Sequence, residues 1–228
     1  MENPWTAFQN NAKHNYLVLD SDKAVIDKFN GTANEMFRIH TEIMPAPFMG
    51  NVFEVPVLLL LSNPGFDEEE ERRNYYNLFR HYWENEILHK PTIPDLPLFC
   101  LEDTYCEYSD YWQKKLKDLI QATSKEKVAR NIAIVQFFPY TSKKYKNIPK
   151  KILSGYLKSQ EYNFYLIRKA MERKATIIIL RAKKLWFDAI PSLKEYENRC
   201  FTNSYLNTTL SRGNLKAFDE IVKKIDSE

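Results

Sequence analysis

Three stretches of the chain are apolar almost throughout: Val55–Leu61 (VPVLLLL), Asn131–Phe138 (NIAIVQFF) and Ala175–Leu180 (ATIIIL). Short runs without polar alternation predict parallel strands covered on both faces. Arg199–Asn203 (RCFTN) carries a weaker version of the same signal. Between these runs apolar residues recur at helical spacing. Asp67–His89 forms one long aromatic-rich pattern. Tyr108–Thr123 sets Tyr111, Trp112, Leu116, Leu119 and Ile120 on one face, and Lys150–Lys174 does so with Leu153, Leu157, Phe164, Ile167 and Met171. Lys183–Ile190 is a short helix stopped by Pro191, and Asn214–Ile225 closes the chain with Asn214 as N-cap. Strands alternating with helices predict an α/β fold: a three-layer α/β/α sandwich around a four-stranded, mainly parallel sheet.

The first fifty residues are less regular. SDKAVIDKFN reads as a short helix with Ser21 as N-cap, and MPAPFMGN as a loop ended by Gly50-Asn51. HKPTIPDLPLFCLED interrupts the first crossover as a further loop. No repeat or boundary divides the chain, so residues 1–228 are expected to form a single domain, with residues 1–50 an N-terminal extension packed on it.

Composition narrows the class. With 44% hydrophobic and 28% charged residues in 228, the chain can bury a core and is not of the disordered type. The net charge of +3 is too small to argue a partner by itself, so the placement of charge matters more. Cys100, Cys106 and Cys200 are odd in number and lack close pairing, which suits buried thiols in a reducing cytoplasm. The start lacks a basic-then-apolar leader pattern, and no apolar run approaches membrane-spanning length. His81 and His89 are eight residues apart on one helix and do not suit one metal ion, and no cofactor is expected. The acids Asp67–Glu71 read as helix-start charges facing the positive end of the dipole; a cation site is the weaker alternative, because one turn does not converge enough oxygens.

Ligands of open parallel sheets bind outside the carboxyl ends of the strands, so the residues that follow each strand carry the functional signal. The first strand is followed by Ser62-Asn63-Pro64-Gly65-Phe66. Gln136 stands at the end of the second, ahead of PYTSKKYKNIPKK. Arg181, Lys183 and Lys184 follow the third, and SYLNTTLSRGNL follows the fourth. Amides, hydroxyls, aromatic rings and cations therefore meet on one rim.

Taken in order, these strand ends resemble the uracil-DNA glycosylase superfamily. The first family motif, Gly-x-Asn-Pro-Gly, compares with Leu61-Ser62-Asn63-Pro64-Gly65, which departs only at the first glycine. Gln136 stands near the family's base-reading Asn. The last motif, His-Pro-Ser-Pro-Leu-Ser, compares loosely with Leu206-Asn207-Thr208-Thr209-Leu210-Ser211. The resemblance covers Val55 to the C-terminus. It implies strand order 2-1-3-4 and hydrolysis of the glycosidic bond of a nucleotide rotated out of DNA, single- or double-stranded. In that reading Asn63 orients the attacking water. Pro64 and Gly65 bring backbone N–H groups to the base beside Ser62, Phe66 or an aromatic residue of PLFC stacks on it, and Gln136 reads its edge. Leu210 is the apolar wedge, while Ser211, Arg212, Lys143, Lys144, Lys146 and Arg181 hold phosphates. Leu206 falls where the family has His, so the donor to the departing base is open between Asn207 and Asn203.

Each feature also has a plainer reading. Asn63-Pro64-Gly65 can be an ordinary turn, Lys143 to Lys151 a solvated loop, Gln136 a paired buried amide, and Arg181 with Lys183 and Lys184 a solvated cluster. Two other functions stay open: a catalytically silent protein of the same fold that binds nucleic acid or a nucleobase, and a hydrolase of a small nucleoside.

Overall fold

The computed structural model describes residues 1–8, 16–66, 77–204 and 206–227. Its centre is a mixed sheet of five strands: β1 (Phe48–Met49), β2 (Val57–Leu61), β3 (Ile132–Gln136), β4 (Thr176–Ile179) and β5 (Arg199–Phe201). They stand in the order β1-β3-β2-β4-β5. The last four are mutually parallel, and β1 adds antiparallel to β3, with Phe48 opposite Val135. Every residue of β2, β3 and β4 is buried, which is the burial expected of parallel strands covered on both faces. The three apolar runs and the weaker Arg199–Asn203 segment thus became the four parallel strands, each slightly shorter than its stretch.

The fifth strand corrects the expected count of four. It lies inside MPAPFMGN, where two prolines argue for loop; only Phe48 and Met49 pair, and Gly50 ends the strand at φ 85°. A Cβ on Gly50 would sit 2.8 Å from the carbonyl oxygen of Ile132, so glycine lets this edge lie against β3.

The helices are α1 (Asp20–Asn30), α2 (Arg80–Ile87), α3 (Asp103–Tyr108), α4 (Tyr111–Ala122), α5 (Lys125–Asn131), α6 (Lys158–Glu172), α7 (Lys183–Ala189) and α8 (Phe218–Asp226). They fall into two packed sets, one in which α5 contacts both α4 and α8, the other joining α1 to α6. The whole acidic run Asp67–Glu71 and the first part of the expected Asp67–His89 helix lie outside the described residues. Three helix starts differ from the sequence reading. Ser21 lies inside α1, whose N-cap position is Leu19. The Lys150–Lys174 pattern begins as helix only at Lys158, because residues 150–157 are turn and loop; there the Gln160 side chain accepts from the Leu157 N–H at 3.2 Å. Asn214 does not cap the last helix, which begins at Phe218. Its side chain instead donates to the carbonyls of Asn207 and Thr209, 2.8 Å each, and accepts from the Ser204 N–H.

The start of the chain is built into the core. Trp5 is fully buried against Tyr140. Asp22 of α1 is buried where it accepts from the Tyr140 hydroxyl at 2.8 Å and from the Lys158 N–H at 3.1 Å. Burial raises the pKa of this carboxyl, and its hydrogen bonds work in the opposite direction.

Candidate functional site

Register decides which strand ends meet. Leu61 of β2 lies beside Gln136 of β3, so the chain leaving β2 runs directly past the last residue of β3. The ladder continues beyond the strands, with the N–H groups of Phe137 and Phe138 donating to Leu61 and Ser62 at 3.0 and 2.8 Å. Gly65 then bridges in parallel to Ser142. The Asn-Pro-Gly loop is therefore clamped to the loop after β3 from Leu61 to Gly65.

This clamp fixes Asn63. Its Nδ2 donates to the Pro64 carbonyl at 2.9 Å, to Ser142 Oγ at 2.9 Å and to the Ser142 carbonyl at 3.4 Å. Ser142 Oγ donates its own proton to the Lys144 carbonyl at 3.1 Å, so toward Asn63 it can only accept. Three acceptors around one end of the amide set that end as nitrogen. Among the described residues the opposite end, the oxygen, meets only Ser62 Oγ at 3.4 Å.

Asn63 lines a cavity of about 680 Å³ together with Ser62, Pro64, Gly65, Gln136, Lys143, Lys144 and Arg181. Eight residues expected at the rim thus share one space. Gln136 is 5% exposed, and its side-chain oxygen is enclosed without a hydrogen-bond partner. A buried acceptor of that kind costs about 1–3 kcal/mol unless a ligand or water donor meets it. Gln136→Leu is therefore expected to raise or preserve the melting temperature while weakening any nucleobase binding about tenfold or more. Thermal denaturation and a binding titration on one preparation check both halves. Gly65 has open space: a Cβ there would meet nothing within 4 Å. Among the described residues nothing crowds this position, and Gly65 lines the cavity.

Other expected roles are not supported by position. Phe66 is stacked on His40, with ring centroids 3.6 Å apart, and does not line the cavity. Phe99 of PLFC is fully buried in the core. Leu210 is also fully buried, its N–H bonded to the Lys115 carbonyl at 3.0 Å, so it is not a wedge. Leu206, four residues earlier, is 81% exposed. Asn203 donates to the Gly213 carbonyl at 3.1 Å, and the Asn207 oxygen accepts from the Thr209 N–H at 2.9 Å; both side chains close their own loop and neither lines the cavity. The Ser211 carbonyl accepts from Asn214 and Leu215. Arg212 pairs with Asp219 and lies over the Phe218 ring. Lys146 lies over the Phe37 ring at 4.9 Å. The departures within the last loop share a cause: the loop after β5 folds around Asn214 and is tied to Lys115, 93 residues from Thr208, a contact that spacing does not reveal.

Several lining residues went unread in the sequence. Trp83, Tyr105, Tyr111 and Trp112 form an aromatic wall. The helical spacing of Trp83, Tyr111 and Trp112 indicated core, and Trp83 and Trp112 are indeed buried, whereas Tyr111 is 45% exposed; Tyr105 lay in no expected helix. Ser142 stands one residue before the lysine run, and no spacing rule ties it to Asn63.

The last loop hangs on two cations. Lys115 of α4 is 6% exposed; its Nζ donates to the Thr208 carbonyl at 3.3 Å and to the Thr208 hydroxyl, and it lies over the Tyr111 ring. Burial, then the nearby Arg181, push its pKa down to about 8. Arg181 donates to the Leu206 carbonyl at 3.2 Å. Ser62, Tyr145 and Arg181 also belong to an open groove of about 860 Å³ that carries Lys183, Lys184 and Lys194 past Phe187. The rim of the site is thus positive and partly aromatic. Among the described residues, no group of three or more His, Cys, Asp or Glu side chains is placed to hold a metal ion, and no helix is long and apolar enough to cross a membrane. Comparison with family models, with curated proteins and with solved structures finds no match to this chain.

Proposed function

We propose that the cavity receives a nucleobase rotated out of DNA, and that the protein is a uracil-DNA glycosylase-like hydrolase. The observation that carries this reading is the pair of amides on one cavity wall: Asn63, oriented by Ser142 with its oxygen left over, and Gln136, with an unmet acceptor. The order of the four parallel strands supports it, as does the handedness rule. β3 and β4 lie on opposite sides of β2, so right-handed crossovers put the two helix sets on opposite faces as a sandwich.

In this mechanism Asn63 Oδ1 accepts a hydrogen bond from a water and aims its oxygen at the anomeric carbon. The glycosidic C–N bond breaks with its electrons leaving on the base, the water oxygen bonds to carbon, and the water proton is released. The leaving base is an anion, and Lys143, Lys144 and Arg181 supply the positive surroundings that stabilise it. Stacking falls to Tyr111 and its aromatic neighbours in place of Phe66. Leu206 takes the wedge role in place of Leu210.

A second reading has its own observation. Asn203 and Asn207 are engaged within the last loop, so among the described residues no donor from that loop lines the cavity. This favours a protein that holds a base without cleaving it. Labelled single- and double-stranded oligonucleotides carrying one uracil or another altered base separate the two. Alkali-labile sites that appear with the protein support hydrolysis. Salt-sensitive binding without such sites supports the silent binder. In either case, replacing Lys143, Lys144 and Arg181 together by Gln is expected to weaken binding and flatten its salt dependence by up to about three in log–log slope. A slope identical to that of the wild type would remove these cations from the interface.

A further inference from the structure

The parallel strands have a second end, and it too carries a cavity. Gly50 lies against Ile132 and Ala133, where β3 begins, whereas the Asn63 site lies where β2 and β3 finish. Beside Gly50 is a cavity of about 240 Å³, lined by Asn51, Phe53, Glu86, His89 and Thr92 and by three prolines. It is smaller than the usual range for drug-sized ligands, so its occupant is small.

Glu86, on α2, is 6% exposed. Its carboxylate accepts from the Thr92 hydroxyl at 3.3 Å and from the backbone N–H of Gly50. No cation among the described residues is paired with it. The carboxyl lines the cavity with only these neutral donors around it, so its ionised form would need a counter-ion from the cavity. The adjoining wall is aromatic. The His89 ring stacks on Phe48 with centroids 4.5 Å apart and meets Phe53 at 4.6 Å. Phe53 is 42% exposed and lines the cavity. The His89 Nε2 is hydrogen-bonded with the Tyr162 hydroxyl at 2.8 Å. The remaining ionisable neighbours are Lys90, on the lining, and the buried thiol of Cys100.

We propose that this cavity is a binding site for a small organic cation, a primary ammonium or guanidinium compound, with Glu86 as its counter-ion and the Phe53 and His89 rings as its wall. A carboxyl that ionises as the cation enters and neighbouring aromatic rings are the two groups that recognise such a cation. Charge bookkeeping fits as well. Burial holds the Glu86 carboxyl up at about 8 and the His89 ring down at about 4, so both are neutral in the empty site near pH 7. An entering cation ionises Glu86, and one proton leaves to the buffer for each cation bound.

The test is isothermal titration of the full-length protein with butylammonium, putrescine and agmatine at pH 7, with butanol as the neutral isostere. Each titration is run in two buffers of different ionisation enthalpy. The expected result is saturable binding of at least one cation, none of butanol, and release of about one proton per cation. Glu86→Gln, which keeps the shape of a neutral carboxyl, is expected to weaken binding at least tenfold, and Phe53→Ala several-fold. A folding control comes from linkage. The folded pKa of Glu86 lies above its unfolded value, so wild-type stability falls relative to Glu86→Gln as pH rises from about 4.5 to about 8, then runs parallel. Binding unchanged in a folded Glu86→Gln variant, equal binding of butanol, or no binding of any cation would overturn the proposal.

Discussion

Replacing Asn63 with alanine is expected to lower base release from a uracil-containing oligonucleotide by about 10²–10³-fold, the range seen when one oriented hydrogen-bonding group is removed from a reacting centre. The size of the effect follows from how the amide is held. Three acceptors, the carbonyls of Pro64 and Ser142 and the Ser142 hydroxyl, take its nitrogen end, so its oxygen is aimed before substrate arrives. That preorganisation is lost with the side chain. Little of the fold should be lost with it, because the backbone of the same loop is tied independently through Phe137, Phe138 and the Gly65–Ser142 bridge. Ser142→Ala removes one anchor of three and should cost less than Asn63→Ala, and mainly in kcat, because it loosens aim without removing the group. Single-turnover cleavage of the oligonucleotide measures all of this. Equal activity of wild type and Asn63→Ala would separate the amide from the chemistry and leave the silent binder as the reading.

Gly50→Ala is expected to destabilise the protein by about 2–5 kcal/mol, from two causes that add. The left-handed backbone disfavours a Cβ by about 1–2 kcal/mol, and an overpacked contact adds about 1–3 kcal/mol. The contact is severe here because the obstructing atoms belong to the sheet: the Ile132 carbonyl oxygen at 2.8 Å and the Ala133 Cα at 3.2 Å. A flexible side chain could move aside, but a central strand cannot. Gly155 is the internal control. Its φ is 116°, yet a Cβ there would meet nothing within 4 Å. Gly155→Ala should therefore show the backbone penalty alone. Urea denaturation of the two variants gives the difference directly, and equal losses would mean that the β1 edge yields to a methyl group. The consequence would extend past stability, since Gly50 also donates to Glu86 at the second cavity.

How much of this was legible beforehand varies by element. VPVLLLL, NIAIVQFF and ATIIIL became β2, β3 and β4 because a strand buried on both faces needs apolar residues at every position, and few other structures do. Asn63 and Gln136 were found together for the same reason: each stands at the end of such a run, and parallel pairing brings those ends level. β1 was hidden because two paired residues between prolines leave no periodic signal. The positions of Leu210, Asn203 and Asn207 do not support the roles given to them, because Asn214 folds the last loop on itself and Lys115, distant in sequence, holds it at Thr208.

By itself, the sequence determined the four parallel strands, several of the helices between them though not α3 or α5, and the polar residues at the strands' carboxyl ends, because burial on two faces and helical periodicity are local patterns written residue by residue. Only the tertiary structure decided that Ser142 orients Asn63, that aromatic residues from the first crossover wall the cavity, that Leu206 and not Leu210 is exposed, and that Glu86 faces a second cavity. Those facts depend on which distant side chains the packing brings within hydrogen-bonding reach, and no short-range pattern encodes that.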